Sequence, residues 1–159
     1  MRWVTREQVR VGRMACAWLI QRFIDHDAEI VTVPGPEVIP TAERTSATPF
    51  HAHGVALKRQ GDRSSFEVML AAYHLEADPA LALLGQIVNT ADVHPSPFNR
   101  PEGAGLKAIS DGFTALFATD DERLRAGAQV FDGLYRYCQQ VVEQVVARAS
   151  GGDAPTGDA

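Results

Sequence analysis

The chain has 159 residues, of which 45% are hydrophobic and 22% are charged, and its formal net charge is −5 at pH 7. This size predicts one globular domain with a buried core. The acidic balance argues against the broad basic surface of a nucleic-acid-binding protein, so direct DNA binding is not expected.

The N-terminal segment and the cysteines bear on location. The segment MRWVTREQVR is too charged for a secretory signal peptide, and the apolar run MACAWLI is far too short to span a bilayer. Cys16 and Cys138 are distant in sequence and provide neither a CxxC pair nor a disulfide framework. These features predict a cytoplasmic protein with reduced thiols and no membrane partner.

The start of the chain predicts a strand, a buried helix and a second strand. The segment RWVTR contains β-favouring residues. A helix is expected from about Arg13 to Asp25, with Gly12 as a modest N-cap. Apolar residues lie on nearly every side of this helix, which is typical of a buried helix. The run AEIVTVP, closed by Pro34, predicts the second strand.

The following segment is rich in breaking residues. GPEVIPTAERTSATPF indicates irregular structure. In HGVALKRQGD, Val55 and Leu57 alternate with polar neighbours before a Gly-Asp turn signal, and this pattern predicts another short strand.

Local signals place the remaining helices. Ser64 and Glu67 form a capping box before a helix that runs to about His74. Asp78 and Pro79 begin the next helix. The helix after it has the spaced apolar residues Leu106, Ile109, Phe113 and Leu116.

The last helix has the strongest pattern. Thr119 and Glu122 form a second capping box. A stripe of about four heptad-like repeats follows. It comprises Leu124, Ala128, Phe131, Tyr135, Cys138, Val142, Val145 and Ala149.

Together these elements predict an α+β, mostly α-helical fold with about five helices and two or three short strands. The domain is expected to span residues 1–149. The Gly-, Ala- and Asp-rich segment 150–159 is expected to be a disordered tail.

The first predicted helix carries Arg13, Cys16, Trp18 and Arg22 in an apolar segment. In the first turn, backbone N–H groups would favour a Cys16 thiolate, and Arg13 lies three residues earlier on the same face. Arg22 is four residues after Trp18, which permits a guanidinium–indole contact. A helix N-terminus with arginines suits an oxyanion. The open alternative is a small buried cysteine with two ion-paired or snorkelling arginines.

The segment HAH is the best candidate for a metal-binding site. In an extended strand, His51 and His53 would share a face. His51 with Glu67 and Asp92 could then hold iron, manganese or zinc. The open alternative is a polar loop, with Glu67 used only in its capping box. No P-loop, GxGxxG or GxSxG motif is present, so nucleotide binding and serine-hydrolase chemistry have no support.

Several segments together are similar to a known family, the chromate-resistance ChrB-type domain. They are WVTR, GRMACAWLIQRFIDHDAEIVTVP, ATPFHAHGVALKRQGDRSSFEVML, DPALALLGQIVNTAD, GLKAISDGF and VFDGLYRYC. The resemblance covers about residues 2–138, and Arg13, Cys16, Trp18 and Arg22 match the family pattern. Ala17 and Gln21 depart from it, because proline and arginine are usual at these positions.

The resemblance implies a role in bacterial chromate resistance. The chain would be an accessory or sensor domain that binds an oxyanion or a metal ion, with Arg13, Cys16, Trp18 and Arg22 near the ligand. One alternative is a small metal-dependent or redox enzyme. Another is an interaction module or homodimer formed through the last helix.

Overall fold

The first strand is the centre of the sheet. In the computed structural model, which describes residues 1–151, three parallel strands lie in the order β2-β1-β3. They are β1 (Arg2–Arg6), β2 (Glu29–Val33) and β3 (Thr48–Pro49). Val4 of β1 is opposite Val31 on one side and Pro49 on the other. The strands predicted for RWVTR and AEIVTVP are therefore confirmed.

Residues 1–151 also contain six α-helices. They are α1 (Val11–Leu19), α2 (Val38–Thr45), α3 (Ser65–Ala72), α4 (Pro79–Asp92), α5 (Pro101–Leu116) and α6 (Asp120–Gly151). The predicted α+β, mostly α-helical class is confirmed. The expected number of helices is one too low, because α2 was not predicted.

Helix α1 is buried along its whole length, as predicted. It begins at Val11 rather than Arg13, and Arg10 is its N-cap without a side-chain hydrogen bond. The predicted cap at Gly12 is therefore wrong. The chain then widens into a π-helical turn over Ile20–Ile24, which the Asp25 amide closes by donating to the Ile20 carbonyl at 2.7 Å.

The segment predicted to be irregular contains regular structure. A 3₁₀ turn covers Gly35–Glu37, and α2 follows directly. Pro40 is tolerated because it lies in the first turn of α2, where a backbone N–H has no helical partner. Ser46 ends the helix in the left-handed conformation with φ of 52°.

The strand predicted over HGVALKRQGD is wrong. Gly54 and Gly61 have φ values of 80° and 61°, so they turn the backbone out of an extended path. Outside the named strands, the described residues contain only two isolated bridges, Phe50 to Leu57 and Gln60 to Arg63.

The predicted starts of α3, α4 and α6 are confirmed. The Ser64 amide donates to the Glu67 carboxylate at 2.7 Å, and the Glu67 amide donates to the Ser64 hydroxyl. Asp78 accepts from two amides at the start of α4. The second capping box, Thr119 with Glu122, forms in the same reciprocal way before α6.

The main core surrounds Trp18. Its indole packs on Phe66 of α3 and on Phe131 and Tyr135 of α6. Each fully buried aromatic or aliphatic side chain stabilises the fold by about 1.5–3 kcal/mol. This cluster holds α1 between α3 and α6, and it thereby fixes the N-terminal turn of α1 over the sheet.

Helix α6 packs on the core through Phe131 and Cys138, which are both fully buried. Every residue from 143 to 151 is exposed. Of the predicted tail 150–159, Ser150 and Gly151 belong to α6, and the residues from 152 onward lie outside the described residues. None of the described helices combines the length and the apolar character that a bilayer crossing requires.

Candidate functional site

The carboxyl ends of the three parallel strands meet at one edge of the sheet. Arg6 is the last residue of β1, Gly35 comes two residues after β2, and His51 comes two residues after β3. In sheets of parallel strands this edge is the usual place for a ligand, because the loops that follow the strands converge there.

A cavity of about 230 Å³ opens at this edge. We call it the cationic pocket, and its lining residues are Arg6, Arg13, His51, Ala52, His53, Lys58, Arg59 and Ser65. Three arginines and one lysine carry permanent charge, so the pocket attracts anions.

Arg13 is the most buried of these cations. It is 6% exposed, although it carries a charge. One Nη atom donates to the Gln8 carbonyl at 2.8 Å, but Nε has no hydrogen-bond partner among the described residues. Burial, followed by the neighbouring Arg6, lowers the pKa of Arg13. A buried charged group is costly unless it is paired, so an anion bound in the pocket would stabilise the Arg13 guanidinium.

Ser65 supplies a second buried polar group to the same pocket. It is the first residue of α3 and is 1% exposed. Its hydroxyl has no partner within residues 1–151, because the capping box is completed by Ser64 and Glu67. Ser65 therefore adds a buried hydroxyl without a protein partner to the wall of the pocket.

Behind the pocket, three side chains meet at Gly12. The Cys16 Sγ lies 3.9 Å from the His51 Nδ1. A Cβ atom at Gly12 would overlap both the Asp92 carboxylate and the His51 imidazole. Glycine at this position therefore allows the histidine and the aspartate to approach the first turn of α1.

The surroundings of His51 and Asp92 set the protonation states of these two side chains. Burial, with added repulsion from Arg13 and Arg6, lowers the pKa of His51 to about 3, so its imidazole is neutral at pH 7. Burial raises the pKa of Asp92, and the nearby Arg13 and Arg59 oppose that change. The permanent charge of the pocket therefore comes from arginine and lysine.

Of the two interpretations left open for Cys16, the structure favours the buried thiol over the thiolate. Because α1 begins at Val11, Cys16 is the sixth residue of the helix and lies beyond its first turn. Burial, followed by the charge of Asp92, raises the pKa of the Cys16 thiol well above its usual value, and Arg13 opposes this only in part. Cys16 is a protonated thiol at neutral pH.

Trp18 and Arg22 lie away from the cationic pocket. The Trp18 indole N–H donates to Asp132 at 2.8 Å, and the Arg22 guanidinium donates to both oxygens of the same carboxylate at 2.9 Å. The structure therefore brings Arg13 and Cys16 together and places Trp18 and Arg22 against α6.

The three residues predicted to hold a metal do not form a common site. His51 and Asp92 meet at Gly12, but the Glu67 carboxylate accepts hydrogen bonds from Ser64 and Asn89. Within residues 1–151, no three or more His, Cys, Asp or Glu side chains are arranged to hold a metal ion. The donor set therefore does not fit an iron, manganese or zinc centre.

Sequence reasoning did not single out Arg6, Lys58, Arg59 and Ser65 as ligand-binding residues. The adjacent Lys58 and Arg59 follow the HAH segment closely and could have been grouped with it as one basic loop. Ser65 had no such signal, because its role depends on which way the first turn of α3 faces.

The comparisons with known proteins agree on one family. The family described as "ChrB, C-terminal domain" matches residues 3–138. The curated "Protein ChrB" of Cupriavidus metallidurans is 37% identical over 135 residues, which cover 85% of this chain and 40% of that relative. The chain therefore spans less than half the length of this relative. No solved structure matches the chain.

Proposed function

The chain belongs to the family of the ChrB C-terminal domain, and from this premise we propose that it serves bacterial chromate resistance by binding an oxyanion in the cationic pocket. It would act as a sensor or accessory domain. The matched relative is a longer protein, so these roles are proposed for this chain alone.

The observation that carries the proposal is the pair of unpaired buried donors. Arg13 Nε and Ser65 Oγ both belong to residues that line the cationic pocket, and neither has a partner among the described residues. A tetrahedral oxyanion has several acceptor oxygens and could satisfy both donors at once.

The surrounding charge supports the same ligand. Arg6, Lys58 and Arg59 add three cations to the rim of the pocket. Among the carboxylates, Asp92 acts most strongly on the pKa of Arg13, and the raised pKa of Asp92 reduces the charge that it sets against an anion. Charge-assisted hydrogen bonds from arginine are about twice as strong as those between neutral groups.

Calorimetry with chromate, sulfate and divalent metal ions tests this binding. We expect chromate and sulfate to bind, and divalent metal ions not to bind. Replacing two of the three rim cations, Lys58→Gln with Arg59→Gln, should weaken the anion affinity by about tenfold or more, since each charged hydrogen bond contributes about 1.5–3 kcal/mol. Both residues are on the surface, so the variant should fold.

Arg22→Gln is the matched control. It removes a cation from the π-helical turn after α1, and the partner of this cation is Asp132 rather than a ligand in the pocket. We expect the anion affinity to stay unchanged. Equal losses in the two variants would indicate a general charge effect and contradict the assigned site. The ligand role predicted from sequence for Trp18 and Arg22 requires the same loss in Arg22→Gln.

The biological part of the proposal has a separate test. A strain that lacks this chain should tolerate less chromate than its parent. The unmodified chain should restore growth, and the Lys58→Gln, Arg59→Gln variant should not. Unchanged chromate tolerance in the deletion strain would contradict the role in chromate resistance.

A further inference from the structure

A second cavity adjoins the cationic pocket. It measures about 380 Å³, and its lining residues are Arg6, Gly35, Pro36, Ile39, Ala52 and His53. Three of these, Arg6, Ala52 and His53, also line the cationic pocket. The two cavities therefore lie side by side and share part of their wall, and we call the second the apolar annex.

The annex has an apolar wall that the fold leaves open. Pro36 belongs to the 3₁₀ turn after β2, and Ile39 follows in the first turn of α2. The Ile39 side chain is 40% exposed, which is high for a large aliphatic residue. It extends towards Gly54, where an added Cβ would lie 3.1 Å from the Ile39 Cδ1. This wall can contact an apolar group.

Arg6 stands at the boundary of the two cavities. Its side chain crosses over Gly35, where an added Cβ would lie 3.2 Å from the Arg6 Cδ. From this position the guanidinium can reach an anion on one side, while its aliphatic stem faces the annex on the other.

Taken together, the cationic pocket and the apolar annex are larger than an inorganic oxyanion needs. At the volume that liquid water gives to each oxygen, the five heavy atoms of a tetrahedral oxyanion occupy roughly 150 Å³. The cationic pocket of about 230 Å³ is sufficient for that. The annex therefore offers room and apolar contact for a further part of the same ligand.

We propose that the site takes an organic phosphomonoester, with the phosphate dianion on Arg13 and Ser65 and the organic group against Ile39 and Pro36. This inference rests on the anion site proposed above. Chromate has a similar tetrahedral shape and would compete with the ester for the same donors.

Calorimetry with phenyl phosphate and inorganic phosphate tests the inference. At about pH 8 both ligands carry mainly two negative charges, because the second pKa of a phosphomonoester is about 6. The two probes therefore differ mainly in the phenyl ring. We expect phenyl phosphate to bind about tenfold more tightly, since the ring removes apolar surface from water. Chromate should displace it.

Two matched variants test whether Ile39 provides the higher affinity for phenyl phosphate. Ile39→Ser should abolish the advantage of phenyl phosphate and leave the affinity for inorganic phosphate unchanged. Ile109→Ser is the control, because Ile109 is similarly exposed at 45% and lines neither cavity. It should leave the affinity for both ligands unchanged.

The outcomes separate the two proposals. If inorganic oxyanions bind but phenyl phosphate gains nothing, or if Ile39→Ser keeps the gain, the ester inference is overturned and the anion site stands. If phenol binds as tightly as phenyl phosphate, the annex acts without the phosphate, and the inference is also overturned. If chromate, sulfate and both phosphates all fail to bind, the anion site itself is overturned.

Discussion

Cys16 shows how its surroundings set the chemistry of one side chain. Its thiol is fully buried, and both burial and the Asp92 charge disfavour the thiolate. The positive end of α1 is more than one turn away, and the dipole effect falls off within the first turn. The cost of desolvation therefore outweighs the attraction of Arg13 for the thiolate, and Cys16 is a buried thiol behind the pocket rather than a nucleophile.

This view predicts that Cys16 is inert. In the native protein at about pH 8, iodoacetamide should label Cys16 at least a hundredfold more slowly than a free peptide thiol, because each unit of raised pKa lowers the thiolate fraction about tenfold. Cys138 should behave similarly, since burial raises its pKa to about 11. Peptide mass spectrometry after labelling measures both sites.

Denaturant provides the control for this labelling. In urea both thiols should react at the rate of a free peptide. Rapid native labelling of Cys16 with slow labelling of Cys138 would show that Cys16 is activated, and would contradict the assigned protonation state.

His51 is a half-buried imidazole that is neutral at pH 7. The groups that face it are Arg6 of β1, Arg13 and Cys16 of α1, and Asp92 of α4. Its folded pKa of about 3 lies below the usual unfolded value of about 6.5. The unfolded chain therefore binds a proton as the pH falls below about 6.5, while the folded chain does not.

The expected result is a loss of stability on acidification. Each pH unit below about 6.5 should remove up to about 1.4 kcal/mol from the free energy of unfolding through His51, until the pH approaches its folded pKa. Urea unfolding between about pH 7.5 and pH 4.5 measures this slope. His51→Gln should flatten the slope, and His26→Gln, at an exposed histidine, should not. If the unfolding free energy depended on pH equally in the wild type and in His51→Gln, the neutral state of the folded His51 imidazole would be contradicted.

At the scale of elements, the first turn of α1 depends on Gly12. No side chain of ordinary size fits there, because the Asp92 carboxylate and the His51 imidazole occupy the space. The two side chains belong to α4 and to the loop after β3, so a Cβ at this position would displace both of them from the first turn of α1.

Gly12→Ala should therefore destabilise the protein by about 1–3 kcal/mol, the usual cost of overpacking a close contact. Gly105→Ala is the control in α5, where an added Cβ meets nothing within 4 Å. It should stabilise the protein by about 0.5–1 kcal/mol, because alanine favours a helix more than glycine does. Chemical unfolding of both variants gives the comparison. A neutral or stabilising Gly12→Ala would contradict the close packing at the site.

Elements that depend on local hydrogen bonds could be predicted from the sequence. The Ser64–Glu67 capping box involves neighbours three residues apart, and its partners are visible in the sequence itself. Helix α2 was not predicted because it is short and contains Pro40. Its stability comes from packing on β1 and β3, which the local sequence does not reveal.

Less of the candidate site could be predicted from the sequence, because contacts between distant elements bring its residues together. Arg13 and Cys16 are close in sequence, and the resemblance to the family drew attention to both. Arg22 meets Asp132 across 110 residues, and Ser65 faces the pocket only because α3 packs on α1. Long-range pairing decided which of the two arginines of α1 and its π-helical turn lines the pocket.

At the scale of the whole molecule, Asp120 joins the two ends of the fold. At the start of α6, its carboxylate accepts hydrogen bonds from the Gln8 and Val9 amides at 2.9 and 2.8 Å. It also pairs with Arg123, and its side chain is only 11% exposed. The Gln8 carbonyl in turn accepts from Arg13 at 2.8 Å. The last helix therefore holds the loop that positions the buried cation of the site.

Asp120→Asn should weaken both the fold and the site. The amide group offers one acceptor oxygen to two backbone donors, and it loses the charge that strengthens both bonds. The expected cost is about 1.5–3 kcal/mol of unfolding free energy. Asp121→Asn is the control, because it removes a charge from the same turn at an exposed position. It should cost only about 0.3–1 kcal/mol through the helix dipole.

Under conditions where both variants are folded, sulfate affinity measured by calorimetry should fall in Asp120→Asn alone. A destabilised Asp120→Asn with unchanged sulfate affinity would mean that α6 supports the fold without setting the position of Arg13.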